Sequence, residues 1–68
     1  MLPLIGQTVV IRGKEWEVVD KKDVSAAYGN EALDEAKSRG IAGLVTLYDD
    51  AWGHAIARVY TDGRMELI

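Results

Sequence analysis

The chain has 68 residues, no cysteine, 8 basic and 11 acidic side chains, and a formal net charge of −3. This length predicts one domain over residues 1–68 with a small core, and the lack of cysteine excludes disulfides, thiolate zinc sites and thiol nucleophiles. The negative net charge argues against a general binder of nucleic-acid phosphates. Because nothing in the composition requires an oxidising compartment, we expect a cytoplasmic protein.

The first five residues are apolar, but they lack a basic segment and are too short for a signal peptide or a membrane span. We therefore expect residues 1–5 to pack on the domain as a lead-in segment, with no membrane association. The following runs, residues 8–11 and 15–19, flank a glycine-containing turn, which predicts a β-hairpin. Trp16 and Val18 share one face of the second strand and are expected in the core. Lys21, Lys22 and Asp23 are expected to end that strand.

A helix is predicted over residues 31–39. Asn30 is a suitable N-cap, and Gly40 can adopt the left-handed conformation after the last turn. Two starting points are possible for the helix, because Asp23 can also cap an earlier turn over residues 24–28 that joins the helix through Gly29. Ile41 is expected to contact Ala36.

Three further strands are predicted over residues 43–48, 54–60 and 64–68, and the pair Asp62 and Gly63 is a strong hairpin signal. The expected fold is α+β with element order ββαβββ, an antiparallel sheet with one helix packed across a face. On residues 54–60 the small face is expected to lie under the helix; it consists of Ala55, Ala57 and Val59. The opposite face is a candidate contact surface formed by His54, Ile56, Arg58 and Tyr60.

Trp52 lies in the turn between the third and fourth predicted strands, where local structure does not explain a tryptophan. Exposed aromatic side chains on loops are frequent binding anchors. The alternative is that Trp52 folds back over the sheet edge and completes the core. The sequence leaves both interpretations open.

Asp49, Asp50 and His54, with Asp62, form the one grouping compatible with metal or acid–base chemistry. A metal-dependent enzyme or hydrolase at this turn is therefore one hypothesis. Ordinary turn chemistry is the favoured explanation, since no spaced His/Cys pattern supplies the ligands of a closed zinc site. With no serine nucleophile motif and no phosphate-binding loop, we expect no enzymatic activity, no metal and no cofactor.

Four basic residues near the first hairpin accompany Trp16 and suggest a nucleic-acid-binding alternative; they are Arg12, Lys14, Lys21 and Lys22. Interleaved acidic residues largely cancel their charge, so a solvated hairpin face is favoured and nucleic acid is not the expected partner.

The leading hypothesis is a small non-catalytic module that binds a protein partner and self-associates, since a short core without disulfides often gains stability in a homodimer. An accessory or inhibitory protein of a phage or mobile element would fit the size and the lack of chemistry. The expected partner-binding residues are Trp52, Ile56, Arg58, Tyr60, Asp49, Asp50 and His54.

Overall fold

Five antiparallel strands and two short helices make up the protein, whose computed structural model describes residues 2–68. The strands are β1 (Thr8–Ile11), β2 (Lys14–Asp23), β3 (Ile41–Asp49), β4 (Gly53–Tyr60) and β5 (Met65–Leu67), and the helices are α1 (Val24–Ala27) and α2 (Asn30–Ser38). The strands pair in chain order from β1 to β5, and the sheet curls into a half-barrel. The predicted α+β class and antiparallel sheet are confirmed. No helix within residues 2–68 is long and apolar enough to span a membrane.

The main core lies on the concave side of the sheet, which we call the inner face; the convex side is the outer face. Trp16 and Val18 belong to this core, as the alternation along β2 predicts, and Leu2 of the lead-in segment packs against it. Leu4 and Ile5 are exposed, and Met1 lies outside the described residues. The buried residues of the core are Val9, Ile11, Trp16, Val18, Val45, Leu47, Ala57 and Val59.

Strand β2 is twice as long as the predicted strand, so the expectation that Lys21, Lys22 and Asp23 end it is wrong. The pairing with β3 shifts register between Val18 and Asp20 and then continues to the pair Asp23 and Gly43. A bulge of this kind bends a strand and lets it keep its hydrogen bonds. The charged residues therefore follow the curve of the half-barrel as exposed strand positions.

The helical segment consists of two helices, so both predicted starting points are used. Asp23 caps α1, because its Oδ1 accepts hydrogen bonds from the Ala26 N–H at 3.0 Å and the Ser25 hydroxyl at 2.8 Å. The predicted N-cap Asn30 is wrong: Gly29 occupies that position without a side-chain bond, and Asn30 is already helical. Gly40 has the predicted left-handed conformation, with φ of +75° after the C-cap Arg39.

The helices do not lie under the small face of β4, which corrects that expectation. Ala57 and Val59 are buried in the main core, which within residues 2–68 contains no helical side chain. The curled sheet covers its own inner face instead. Ala36 and Ile41 are buried outside this core, and Ile41 pairs with Tyr60, whose side chain belongs to the outer face.

Two turns match their sequence signals. The first hairpin closes through Arg12 and Gly13, both with positive φ, and joins Ile11 to Lys14. This is the two-residue turn whose twist suits an antiparallel pair. At the other predicted hairpin Gly63 has φ of +92° and donates its N–H to the Tyr60 carbonyl at 3.0 Å.

Gly43 pairs with Asp23 at the end of the β2–β3 ladder, where the backbones leave no room for a side chain. A Cβ atom on Gly43 would overlap the backbone carbonyl oxygen of Lys22 and lie 3.0 Å from Asp23 Cα. Both obstacles are backbone atoms, so no side-chain rotation relieves the overlap. The close pairing of these strands requires glycine at this position.

Candidate functional site

The turn that carries Trp52 is held by the carboxylate of Asp49. One oxygen, Oδ2, accepts hydrogen bonds from the backbone N–H of Ala51 at 3.1 Å and of Trp52 at 3.0 Å. The same oxygen lies 3.2 Å from Lys14 Nζ. Gly53, with φ of +80°, then returns the chain to β4, where it pairs with Asp49. The backbone of the turn is therefore fixed from both ends.

Lys14, Trp16, Asp49 and Trp52 form what we call the tryptophan corner. The rings of Trp16 and Trp52 meet edge to face, with centroids 6.4 Å apart and planes at 84°. Lys14 Nζ lies 5.2 Å from the first ring centroid and 5.0 Å from the second, which is cation–π distance. Trp16 is 4% exposed, whereas Trp52 is 72% exposed. Trp52 therefore touches the core edge and does not complete the core.

Electrostatics keep Asp49 ionised. Partial desolvation alone would raise the pKa of Asp49, but the Lys14 ammonium and the N–H groups of Ala51 and Trp52 outweigh it and hold the pKa below its ordinary value. Hydrogen bonds and a nearby cation both favour the charged form of a carboxyl group. The carboxylate is therefore charged throughout the neutral pH range.

An acidic depression of about 190 Å³ adjoins the tryptophan corner and shares Asp49 and Trp16 with it. The pairs Thr8–Glu17 and Glu17–Tyr48 bring three strands together there on the outer face. We call this site the acidic depression; its lining is Thr8, Glu15, Trp16, Glu17, Tyr48, Asp49 and Asp50. Four of these lining residues are acidic and none is basic.

Further along the outer face, Ile56 is 48% exposed and pairs with Thr46. A second depression of about 130 Å³ lies beside it and includes Leu44, Lys21 and Lys22. Ile68, also exposed, donates its N–H to the Ile56 carbonyl at 2.9 Å. Leu44, Ile56 and Ile68 form what we call the apolar strip, and Lys21 and Lys22 are its charged neighbours.

Arg58 and Tyr60 are engaged within the molecule. Glu66 Oε1 accepts bonds from Arg58 Nη1 at 2.8 Å and from the Tyr60 hydroxyl at 3.1 Å. The hydroxyls of Tyr60 and Tyr28 raise the pKa of Arg58 further above its ordinary value. Arg58 and Tyr60 are thus partly occupied by structural contacts.

The predicted partner-binding residues do not form one continuous site. Trp52 and Asp49 lie in the tryptophan corner, and Asp50 lines the acidic depression. His54 is exposed beside Tyr48, with ring centroids 5.0 Å apart. Ile56, Arg58 and Tyr60 extend away from this end along the outer face.

Within the part of the chain that the structure describes, the metal hypothesis gains no support. No group of three His, Cys, Asp or Glu side chains within residues 2–68 is arranged to hold a metal ion. Asp62 lies in the β4–β5 turn, where its Oδ1 accepts the Arg64 N–H at 2.9 Å. It is therefore part of turn structure.

The four basic residues of the nucleic-acid alternative do not form one patch. Arg12 lies in the first turn, and Lys14 is paired with Asp49. Lys21 and Lys22 pair with Val45 and Leu44 near the far end of β2, about 23 Å along the strand from Lys14 at about 3.3 Å per residue.

Lys14 and Tyr48 are members of this site that the sequence did not assign to it. Lys14 meets Asp49 and Trp52, and Tyr48 meets Glu17, only through the pairing of β2 with β3. Alternation alone does predict that Glu15 and Glu17 share a face, because they are two residues apart in a strand.

The comparisons with known proteins add no relative: no family model, no curated protein and no solved structure matches the chain.

Proposed function

We propose that the protein is a non-catalytic interaction module whose anchor for a protein partner is Trp52. One observation carries this proposal: a tryptophan side chain is 72% exposed on a turn whose backbone is fixed by Asp49. Buried tryptophan anchors supply much of the free energy of protein interfaces. A fixed anchor loses little conformational entropy on binding.

The surroundings of Trp52 favour a protein over a nucleic acid. The nearest cation, Lys14, is already paired with Asp49, and the adjoining depression is lined by carboxylates. These carboxylates repel phosphates. We expect no retardation of single-stranded DNA or RNA at low salt in a mobility-shift assay, and salt-dependent retardation would favour the nucleic-acid alternative.

Self-association through the apolar strip is part of the same proposal. Ile56 and Ile68 are neighbours on the outer face and both are exposed. Charges of both signs flank them, with Lys22 on one side and Glu66 on the other. A second copy of the chain can therefore meet apolar residues at the centre and opposite charges at the rim.

The first prediction concerns Trp52→Ala. Because the side chain is mostly exposed, the variant should keep the wild-type unfolding midpoint in urea. Loss of a hot-spot side chain costs about 2 kcal/mol or more, so the affinity for a purified partner should fall about 30-fold. The partner is first captured from cell extract and then prepared pure, and binding is measured by calorimetry.

Ile5→Ala is the matched control, because Ile5 is an exposed apolar residue in the lead-in segment. It should bind the partner like wild type. Wild-type affinity of Trp52→Ala would contradict the proposal, and an equal loss in both variants would show that the tryptophan is not the anchor. Unfolding of Trp52→Ala would assign the side chain to the core.

A further inference from the structure

Two rows of side chains cross the outer face from β2 to β5 at the apolar strip. Each row takes one residue from each of the four strands, because the strand pairing sets these residues side by side. The first row is Lys22, Leu44, Arg58 and Glu66. The second row is Asp20, Thr46, Ile56 and Ile68. The first row therefore begins with a cation on β2 and ends with a carboxylate on β5.

The two end charges of the first row are accessible from outside the molecule. Lys22 is exposed and makes no ion pair with any residue in 2–68. The Glu66 side chain is 52% exposed, and its bonds from Arg58 and Tyr60 both go to Oε1, so Oε2 can accept a bond from a second molecule. With neighbouring strands about 4.8 Å apart, Lys22 and Glu66 each lie about 7 Å from the line midway between β3 and β4.

The second row has an exposed apolar side chain next to a recess. The depression of about 130 Å³ spans β2 to β4 across Thr46, which pairs with Asp20 on one side and with Ile56 on the other. A two-fold symmetric interface joins a surface to itself, so each projecting side chain must face a recess of the second copy. A two-fold axis that runs along the strands, midway between β3 and β4, sets Ile56 of one copy over Thr46 of the other.

We infer that two copies of the chain pack outer face to outer face about this axis. Lys22 of each copy then meets Glu66 of the other, and Ile56 of each copy enters the depression of the other. Asp20 and Ile68 meet at the rim, where the carboxylate keeps its water. This inference rests on the self-association in the proposed function and adds its orientation and its ion pairs.

The other symmetric arrangement has its two-fold axis perpendicular to the strands, midway between the two rows. It sets Ile56 of one copy against Arg58 of the other, and Ile68 against Glu66. Apolar side chains would then cover charged groups and remove them from water, which is unfavourable. The axis along the strands instead sets Leu44 against Arg58, whose aliphatic part can cover an apolar neighbour.

The orientation of the dimer also determines where its two Trp52 side chains lie. An axis along the strands preserves the direction of every strand, so the β3–β4 turns of both copies lie at the same end of the dimer. A protein partner with two binding segments can then contact both exposed indoles at once. Linked binding of this kind raises the overall affinity without any new type of contact.

Exchange of the end charges tests the ion pairs. Lys22→Glu alone and Glu66→Lys alone should each weaken dimerisation at least about tenfold, because like charges then meet at two places in the interface. An equimolar mixture of the two variants should recover the dimer, since both contacts again join a cation to a carboxylate. Sedimentation equilibrium at low salt measures the dissociation constants, and the urea midpoints show whether each variant is folded.

The matched controls are Lys37→Glu and Glu31→Lys, which make the same charge changes at exposed positions of α2. Each should dimerise like wild type. Wild-type dimerisation by Lys22→Glu, or a mixture that associates no better than its folded components, would overturn the inference. An equal loss in the control variants would assign the effect to net charge and would overturn it as well.

A measurement on the wild-type chain tests the axis without any substitution. In an equimolar mixture of isotope-labelled and unlabelled protein, filtered NMR spectra select magnetisation transfer between copies. Transfer is expected between the Ile56 and Thr46 methyl groups. Transfer between Thr46 and Leu44 methyl groups would indicate the perpendicular axis and would overturn the inference.

These results separate the inference from the proposed function. A dimer that is lost in Ile56→Lys but is insensitive to charge exchange would overturn the ion pairs alone. A wild-type chain that remains monomeric would overturn self-association together with this inference, whereas the role of Trp52 is decided by calorimetry with the partner.

Discussion

Asp49 determines the geometry of the Trp52 turn through a single oxygen atom. Oδ2 accepts two backbone N–H groups and faces the Lys14 ammonium. Ion pairs at this degree of exposure contribute little to folding stability. The contribution of Asp49 is therefore to orientation: it keeps the backbone in one conformation while the indole of Trp52 remains in solvent.

This role predicts a pH dependence of the turn. Because the pKa of Asp49 is held below its ordinary value, the carboxylate contacts persist above that value and are lost as the pH falls through the lowered pKa. The indole N–H resonance of Trp52, followed by NMR from pH 7 to pH 2, should change only below the ordinary aspartate range. The amide of Val59 reports whether the core remains folded.

Asp49→Asn provides the matched control, since an amide cannot titrate. The acid transition of the Trp52 resonance should be absent from that variant. A transition at or above the ordinary aspartate pKa, or the same transition in Asp49→Asn, would assign the pH dependence to another group.

At the scale of elements, capping explains why the helical segment divides. Asp23 satisfies the N–H of Ala26 at the start of α1, and the chain is extended at Tyr28 and Gly29 before α2 begins at Asn30. The sequence indicated both starts but not that both would be used. An N-cap side chain is identified by the hydrogen bond that it accepts from a backbone N–H of the first helical turn. Asp23 accepts such a bond, whereas Asn30 is of a suitable residue type but lies one position past the N-cap.

The assigned N-caps predict different changes in melting temperature for alanine substitutions at Asp23 and Asn30. Asp23→Ala removes the bonds to Ala26 and Ser25 and should lower the melting temperature by about 5 °C. Asn30→Ala removes no cap and introduces a better helix former, so its melting temperature should equal or slightly exceed that of wild type. Circular dichroism melting measures both. A larger loss for Asn30→Ala would contradict the assignment of Gly29 as the cap.

Alternation and turn residues were sufficient to predict the strands, because each strand has one face on the core and each hairpin has a glycine with positive φ. They were insufficient for β2 beyond Val19, since a curved strand with charged residues resembles a loop in sequence. The tryptophan corner was not predictable for a related reason. Lys14 and Trp52 meet only in a sheet with this register.

At the scale of the whole molecule, the half-barrel uses its inner face for stability and leaves the outer face available. Ile56 and Ile68 are the exposed apolar residues of β4 and the C-terminal end within the described chain. A domain of this size buries only about 60% of its unfolded surface, so further burial by association is favourable. Self-association is therefore proposed where the outer face is most apolar.

This proposal predicts a concentration-dependent dimer. Light scattering after size-exclusion chromatography should give twice the monomer mass at high protein concentration. Ile56→Lys should restore the monomer because a charge in an apolar contact must be desolvated. Val10→Lys changes an exposed residue of β1 by the same chemistry and should leave the dimer intact. A wild-type monomer at all concentrations would contradict the proposal.

Gly43 restricts β2 and β3 to one pairing register. A shift of β3 by one residue in either direction would place Ala42 or Leu44 opposite Asp23 in the position of Gly43, where a Cβ atom would overlap the carbonyl oxygen of Lys22. Gly43 thus fixes the register between β2 and β3, although the whole helical segment separates these two strands in the sequence. Gly43→Ala should populate misaligned sheets, seen as multiple amide resonances for Val45, while Gly13→Asn, in a turn with open space, should give single resonances.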